Sequence, residues 1–160
     1  MKVESIYHPR VVTVQADERL ATAAARMQDS QVRSLVVVDG NRFVGIVTEH
    51  DLARAVADGV EAGLSTVGEY MTERPATVTL DTDVREAVRT MLELECRHLP
   101  VVHAGGVVGM VSLHDLASSV LRAASADPDA AGVVAASMPV LVRDGRAGTR
   151  PVSGRTASRH

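Results

Sequence analysis

One stretch of this sequence occurs twice, and this repetition constrains the fold more than any other feature. Residues 45–51 read Gly-Ile-Val-Thr-Glu-His-Asp, and residues 109–115 read Gly-Met-Val-Ser-Leu-His-Asp. The difference 115 − 51 sets the offset at 64 residues, and the flanking sequence keeps this register without a gap. Other pairs in register are Thr13 with Thr77, Ala23 with Ala87, Met27 with Met91, Arg33 with Arg97, and Leu35 with Leu99. So long an ungapped register indicates an internal duplication.

The pattern within each copy predicts the element order β-α-β-β-α. In the first copy, Leu20, Ala23 and Met27 recur at the spacing of one helix face. Residues 35–38 form a continuous apolar run that is typical of a buried strand, and a turn sequence follows at residues 39–41. A single repeat of this size has a marginal core, so we expect an α+β fold in which two repeats pack as one unit. The predicted boundaries are repeat 1 at 1–58, linker and lead-in at 59–74, repeat 2 at 75–123, and a flexible Ala-rich then Arg-rich tail at 124–160.

Each copy of the repeated stretch ends with a hydroxyl residue and, three positions later, an aspartate. Thr48 with Asp51, and Ser112 with Asp115, sit where a strand is predicted to turn into a helix. Such a pair can cap the helix and do nothing more. Alternatively, the hydroxyl contacts a phosphate at the helix N-terminus and the carboxylate accepts hydrogen bonds from a ribose diol. The glycine that opens each stretch allows a ligand or a second backbone to come close. Two copies in register favour the ligand interpretation.

Composition and motifs exclude several classes of function. Aromatic residues make up only 2% of the chain and the net charge is −3, which disfavours nucleic-acid and anionic-membrane partners. There is one cysteine, no P-loop and no HExxH sequence, so we expect no metal site and no required cofactor. Ser112, His114 and Asp115 are too crowded in sequence to form a catalytic triad, and we predict that the protein is not an enzyme. Without a membrane-length apolar run or a signal sequence, it is expected to be cytoplasmic.

The repeated motifs resemble a tandem pair of CBS (cystathionine β-synthase) domains, also called a Bateman module. The resemblance rests on the Gly-x-x-hydroxyl-x-x-Asp stretches and on the matching apolar strands that begin after Arg33 and Arg97. It implies two repeats about a pseudo-twofold axis, with two clefts that take an adenosine-containing ligand such as AMP, ADP, ATP or S-adenosylmethionine. It also implies a homodimer, since isolated CBS pairs usually stack into a disc of four repeats.

The resemblance assigns roles to individual residues. The expected contacts are ribose for Asp51 and Asp115, ribose or phosphate for Thr48 and Ser112, phosphate for Arg33, Arg97 and His98, and the base for Thr13 and Thr77. Because the second copy carries the pair Arg97-His98, we expect unequal clefts, the one using this pair being the better phosphate site.

Two functional hypotheses follow. The first is a regulatory adenine-nucleotide sensor that acts on a separate, unknown partner protein. The second is a dimerisation scaffold that keeps the fold without the ligand, suggested by the departures Tyr7-His8 and Val36 from the usual family sequence. The C-terminal part is interpreted either as a disordered, solvated tail or as a segment in which residues 139–142 dock on the core and the Arg-rich end touches an acidic partner.

Overall fold

A computed structural model describes residues 1–126 of the chain. The strands are β1 (Thr13–Gln15), β2 (Ser34–Asp39), β3 (Arg42–Thr48), β4 (Thr72–Glu73), β5 (Val78–Thr79), β6 (His98–His103) and β7 (Gly106–Ser112). The helices are α1 (Leu20–Ser30), α2 (Glu49–Ala57), α3 (Val67–Tyr70), α4 (Val84–Glu93) and α5 (Leu113–Ala126), and a 3₁₀ helix spans Val3–Ser5. The hypotheses on the Arg-rich end and on residues 139–142 lie outside the described residues.

The predicted α+β fold and the element order β-α-β-β-α are confirmed in both repeats. In the first, β1 pairs in parallel with β2, and β2 pairs antiparallel with β3. In the second, β5, β6 and β7 repeat this arrangement. Even the register irregularity recurs, between Val37 and Val38 in β2 and between Val101 and Val102 in β6. The duplication seen in the sequence is therefore a duplication of backbone geometry.

Each repeat has an aliphatic core built from the helix faces that the sequence predicts. Leu20, Ala23 and Met27 of α1 are buried, and they pack with Leu35 and Val37 of β2. The equivalent core of the second repeat contains Val84, Ala87 and Met91 of α4, together with Leu99, Val101, Val111 and Leu116. No helix among residues 1–126 is long and apolar enough to cross a membrane.

The segments that precede the two repeats are exchanged between them. Val3 is fully buried in the core of the second repeat, and its backbone N–H donates to the carbonyl of Thr82 at 3.0 Å. His8 and Met110 exchange backbone hydrogen bonds at 2.8 and 3.0 Å. In the opposite direction, Val67 of α3 is buried in the core of the first repeat, and β4 adds to the edge of β3. Each lead-in therefore completes the repeat that it does not precede.

The glycine that opens each repeated stretch makes room for the exchanged lead-in. A Cβ placed on Gly109 would lie 2.3 Å from the carbonyl oxygen of His8 and 2.5 Å from the ring of Tyr7. A Cβ on Gly45 would lie 2.5 Å from the carbonyl oxygen of Thr72. Of the two possibilities that the sequence left open for these glycines, the structure shows a close second backbone.

Candidate functional site

The first hydroxyl–carboxylate pair lies at the junction of β3 and α2. Thr48 ends the strand in extended conformation, and Asp51 lies in the first turn of the helix with 7% of its side chain exposed. The Oδ2 atom of Asp51 accepts hydrogen bonds from the backbone N–H of Thr48 at 2.8 Å and from its hydroxyl at 3.1 Å. The pair is thus a capping box, as the first of the two interpretations predicts. Its second oxygen, Oδ1, lies 3.4 Å from Nη2 of Arg54.

The second pair repeats this geometry at the junction of β7 and α5. The Oδ2 atom of Asp115 accepts from the backbone N–H of Ser112 at 2.9 Å and from its hydroxyl at 2.5 Å. Its Oδ1 atom is 2.9 Å from Nε2 of His8, on the exchanged lead-in. Burial raises the pKa of Asp115, but the hydrogen bonds from Ser112 and His8 outweigh it and hold the pKa below its usual range. Asp115 is therefore an ionised, partly buried acceptor.

The two carboxylates differ in what holds Oδ1. Arg54 contacts Asp51 from the same helix, and its guanidinium also donates to the carbonyl of Tyr70 at 2.8 Å. With the offset of 64 residues, the position equivalent to Arg54 in the second repeat is Ser118, and the position equivalent to His8 is Thr72. Each repeat thus places a different nitrogen-bearing side chain, from a different element, against the same oxygen.

The basic residues predicted to contact phosphate influence one another electrostatically. His98 faces Ser112 across the pair β6 and β7, and it interacts electrostatically with Glu49, Asp115, Arg33 and Arg97. Since Glu49 and Arg33 belong to the first repeat and the others to the second, the group spans both repeats. We call these five residues the inter-repeat charge cluster. Arg33 pairs with Glu49 at 3.7 Å, and three quarters of its side chain are exposed.

The two threonines predicted to lie beside the base are exposed. Thr13 begins β1, and its carbonyl accepts a hydrogen bond from Nη1 of Arg26 at 2.9 Å. Thr77 immediately precedes β5. No hydrogen bond among residues 1–126 joins either threonine hydroxyl to Asp51 or Asp115, so their role stays a prediction.

Sequence reasoning missed His8 and Arg54 as partners of the two aspartates. His8 was noted only as a departure from the family sequence. The duplication gave one partial signal, because both residues differ from their equivalents in the other repeat, but it did not indicate that either contacts an aspartate. In the alignment of the two repeats, His8 is equivalent to Thr72, and Arg54 is equivalent to Ser118.

Burial of His98 makes the stability of the fold sensitive to mild acid. Burial is the largest effect on His98 and lowers its pKa. The negative charges of Glu49 and Asp115 oppose this effect, and the positive charges of Arg33 and Arg97 reinforce it. Because the folded-state pKa lies below the unfolded value of about 6.5, the unfolded chain takes up the proton first as the pH falls. The contribution of neutral His98 to the free energy of unfolding is therefore complete above the unfolded-state pKa and declines as the pH falls below it. Urea unfolding should therefore give a lower free energy of unfolding at pH 5.5 than at pH 7.5, and His98→Gln should reduce the difference. An unchanged pH dependence in this variant would contradict the assignment.

Together, the duplicated β-α-β-β-α units, the exchanged lead-ins and one hydroxyl–carboxylate pair per repeat define a class of tandem two-repeat α+β modules. The family model of the CBS domain matches residues 3–58 and again residues 67–122. The chain therefore belongs to the CBS domain family, as a tandem pair. Proteins with such pairs are generally regulatory or signal-transduction modules, and they commonly bind adenosine ligands.

Two curated relatives illustrate how the similarity is distributed. A 17.7 kDa protein encoded in the bps2 3′ region of Acidianus ambivalens is 39% identical over 123 residues, which cover 75% of this chain and 73% of that protein. The mitochondrial CBS domain-containing protein CBSX3 of Arabidopsis thaliana is 34% identical over 112 residues, which cover 66% of this chain and 54% of that protein. Several other Arabidopsis relatives are matched over only about a fifth of their length.

Solved structures share the fold along most of the described chain. The CBS-domain containing protein ATU1752 from Agrobacterium tumefaciens superposes with a TM-score of 0.70 at 27% identity, covering 74% of this chain and 98% of that one. The CBS domain pair of protein MJ0100 superposes with a TM-score of 0.68 at 26% identity, covering 74% of this chain and 94% of that one. The MJ0100 pair was solved in complex with 5′-methylthioadenosine and S-adenosyl-L-methionine.

Proposed function

We propose that this protein is a regulatory sensor of an adenosine-containing ligand, an adenine nucleotide of the AMP, ADP or ATP type or S-adenosylmethionine. In this proposal it needs no cofactor, catalyses no reaction and acts on a separate effector protein. The observation that carries the proposal is the pair of ionisable, largely buried carboxylates, each held by a hydroxyl residue at a strand-to-helix junction. The bound state of the similar MJ0100 pair supports the choice of an adenosine ligand.

The contacts suggest how the work would be divided among the residues. Asp51 and Asp115 each commit Oδ2 to a helix cap, so Oδ1 is the atom that would accept from a ribose diol. Thr48 and Ser112 would contact the ribose or a phosphate near the helix N-termini. Arg33, Arg97 and His98 would meet the phosphate, and the electrostatic effect of both arginines on the His98 ring supports this assignment. Thr13 and Thr77 would lie beside the base.

One observation favours the second candidate, a ligand-independent dimerisation scaffold. Both hydroxyl–carboxylate pairs already have a complete structural explanation as helix caps. A cap needs no ligand, and replacing one typically costs about 1 kcal/mol of stability. In that case the protein would keep its assembly and respond to no adenine nucleotide.

The test is a thermal-shift and calorimetric screen of the purified protein with AMP, ADP, ATP and S-adenosylmethionine. A ligand at 100 times its dissociation constant adds about 2.7 kcal/mol to the free energy of unfolding. We expect at least one of these ligands to bind the native protein. The double variant Asp51→Asn, Asp115→Asn should bind that ligand at least about 100-fold more weakly, because the ribose diol loses its charged acceptors.

The chain offers a matched control for the loss of the caps. Thr66 and Glu69 form a capping box of the same kind at the start of α3. Glu69→Gln should therefore lower the free energy of unfolding without lowering the affinity for the ligand. If none of the four ligands shifts the melting temperature of the native protein, or if the double variant binds as tightly as the native protein, the scaffold hypothesis is favoured instead.

The proposed assembly is a cytoplasmic homodimer that engages neither nucleic acid nor membrane. It would stack through the outer helices α2 and α5, where Val56 is 72% exposed and Leu121 is 66% exposed. Each repeat thus ends in a helix that exposes a large apolar side chain, which supports an association surface there. The boundaries proposed for its parts remain 1–58, 59–74, 75–123 and 124–160.

A further inference from the structure

We propose that His8 is a latch on the Asp115 cleft, so that the Asp51 cleft fills first and the Asp115 cleft accepts a ligand only when His8 swings away. The inference rests on the proposed function, since it concerns the same two carboxylates. It adds a regulatory residue that comes from the lead-in rather than from either repeated motif.

Asp115 has too few free acceptor sites for a ribose diol. An ionised carboxylate offers about four lone-pair sites, two on each oxygen. Ser112 fills both sites of Oδ2 with its backbone N–H and its hydroxyl. His8 fills one site of Oδ1 at 2.9 Å. A ribose diol that donates both of its protons needs two sites, and one remains.

The same count for Asp51 gives a different result. Thr48 fills both sites of Oδ2. Nη2 of Arg54 is 3.4 Å from Oδ1, which is longer than the usual range of about 2.7–3.2 Å for such a hydrogen bond. The guanidinium is also held elsewhere, by the carbonyl of Tyr70 at 2.8 Å and by its position 5.5 Å from the centre of the Tyr70 ring. Arg54 thus makes an ion pair with Oδ1 of Asp51 but no hydrogen bond to it, and a diol would compete there with a weaker contact than the one His8 makes with Asp115.

The His8 side chain is free to move while its backbone stays fixed. Its backbone exchanges two hydrogen bonds with Met110, which anchors the lead-in on β7. Its side chain is 68% exposed, and its contact with Asp115 is the hydrogen bond that the structure records for it. A rotation of the side chain thus opens the carboxylate without unfolding the strand, at the cost of one hydrogen bond to a charged group.

The test isolates the Asp115 cleft and removes the latch. Asp51→Asn leaves one complete carboxylate, and His8→Thr installs the residue that the other lead-in carries at the equivalent position, Thr72. By calorimetry with AMP, ADP and S-adenosylmethionine, we expect the Asp51→Asn, His8→Thr variant to bind about tenfold more tightly than Asp51→Asn alone. His103→Thr, at an exposed histidine ending β6, is the matched control and should leave the affinity unchanged.

A second measurement tests the latch without any ligand. The ring nitrogen signals of His8, assigned by their loss in His8→Thr, should shift in Asp115→Asn as the charged acceptor disappears. If the His8 ring nitrogen signals do not shift in Asp115→Asn, the latch is overturned, regardless of the nucleotide affinities measured. A response combined with equal or weaker binding by the His8→Thr variant would also overturn it, and weaker binding would identify His8 as a ligand contact. A response combined with no binding by any variant, native chain included, would overturn the proposed function and leave the His8–Asp115 contact as a structural tie.

Discussion

An aspartate in place of Val3 should cost about 4 kcal/mol or more of folding free energy, although Val3 lies outside the repeated sequence. Val3 is fully buried, and its neighbours in the core of the second repeat include Val84, Met91 and Leu99. A carboxylate there would be removed from water among apolar side chains, without a partner to offset its charge. Since small domains are stable by only about 5–15 kcal/mol, most of the stability of the second repeat would be lost.

Urea unfolding followed by circular dichroism measures this effect, and resolved NMR signals show where it falls. Signals from β6 and β7 should broaden or vanish before those from β2 and β3. Leu64→Asp is the control, because Leu64 is 66% exposed and an acid is tolerated there. A Val3→Asp variant within about 1 kcal/mol of the native protein would show that the lead-in does not contribute to the core.

Gly109→Ala should lower the free energy of unfolding by about 3 kcal/mol, the upper part of the range for overpacked sites. The added Cβ would lie 2.3 Å from the carbonyl oxygen of His8, which is backbone and cannot move away as a flexible side chain does. The strand pairing between His8 and Met110 would have to separate. The melting temperature would fall accordingly.

The same strand supplies the control for this substitution. A Cβ on Gly106, at the start of β7, would meet no atom within 4 Å. Gly106→Ala should therefore change the melting temperature little, and Gly45→Ala, whose Cβ would lie 2.5 Å from the carbonyl of Thr72, should behave like Gly109→Ala. Equal stability of Gly109→Ala and Gly106→Ala would contradict the close approach of the lead-in.

The fold within each repeat was predictable because its signals are local. Leu20, Ala23 and Met27 mark a helix face, and a continuous apolar run marks β2, so periodicity alone gives the element order. The exchange of the lead-ins was not predictable in this way. Val3 and Val67 carry no local sign of which repeat they complete, since that choice depends on contacts between residues far apart in sequence.

The candidate site was predictable to a similar extent. The hydroxyl-x-x-Asp spacing left the capping box as one of two interpretations, and the structure forms this hydrogen-bonding pattern at both junctions. The group formed by Arg33, Arg97 and His98 came from the resemblance, and its position across the repeats needed coordinates. His8 reaches Asp115 over 107 positions of sequence, a distance that no spacing argument covers.

The exchange of lead-ins also determines how the molecule can be divided. A cut in the link at residues 59–66 would not release two independent domains, because each half would carry the segment that closes the other. Each fragment alone would expose an uncovered core and an open sheet edge, whereas the two fragments together would have complementary edges. The chain is in this sense two interlocked halves, and reassembly of the pair, rather than folding of either part, is the event that restores both cores.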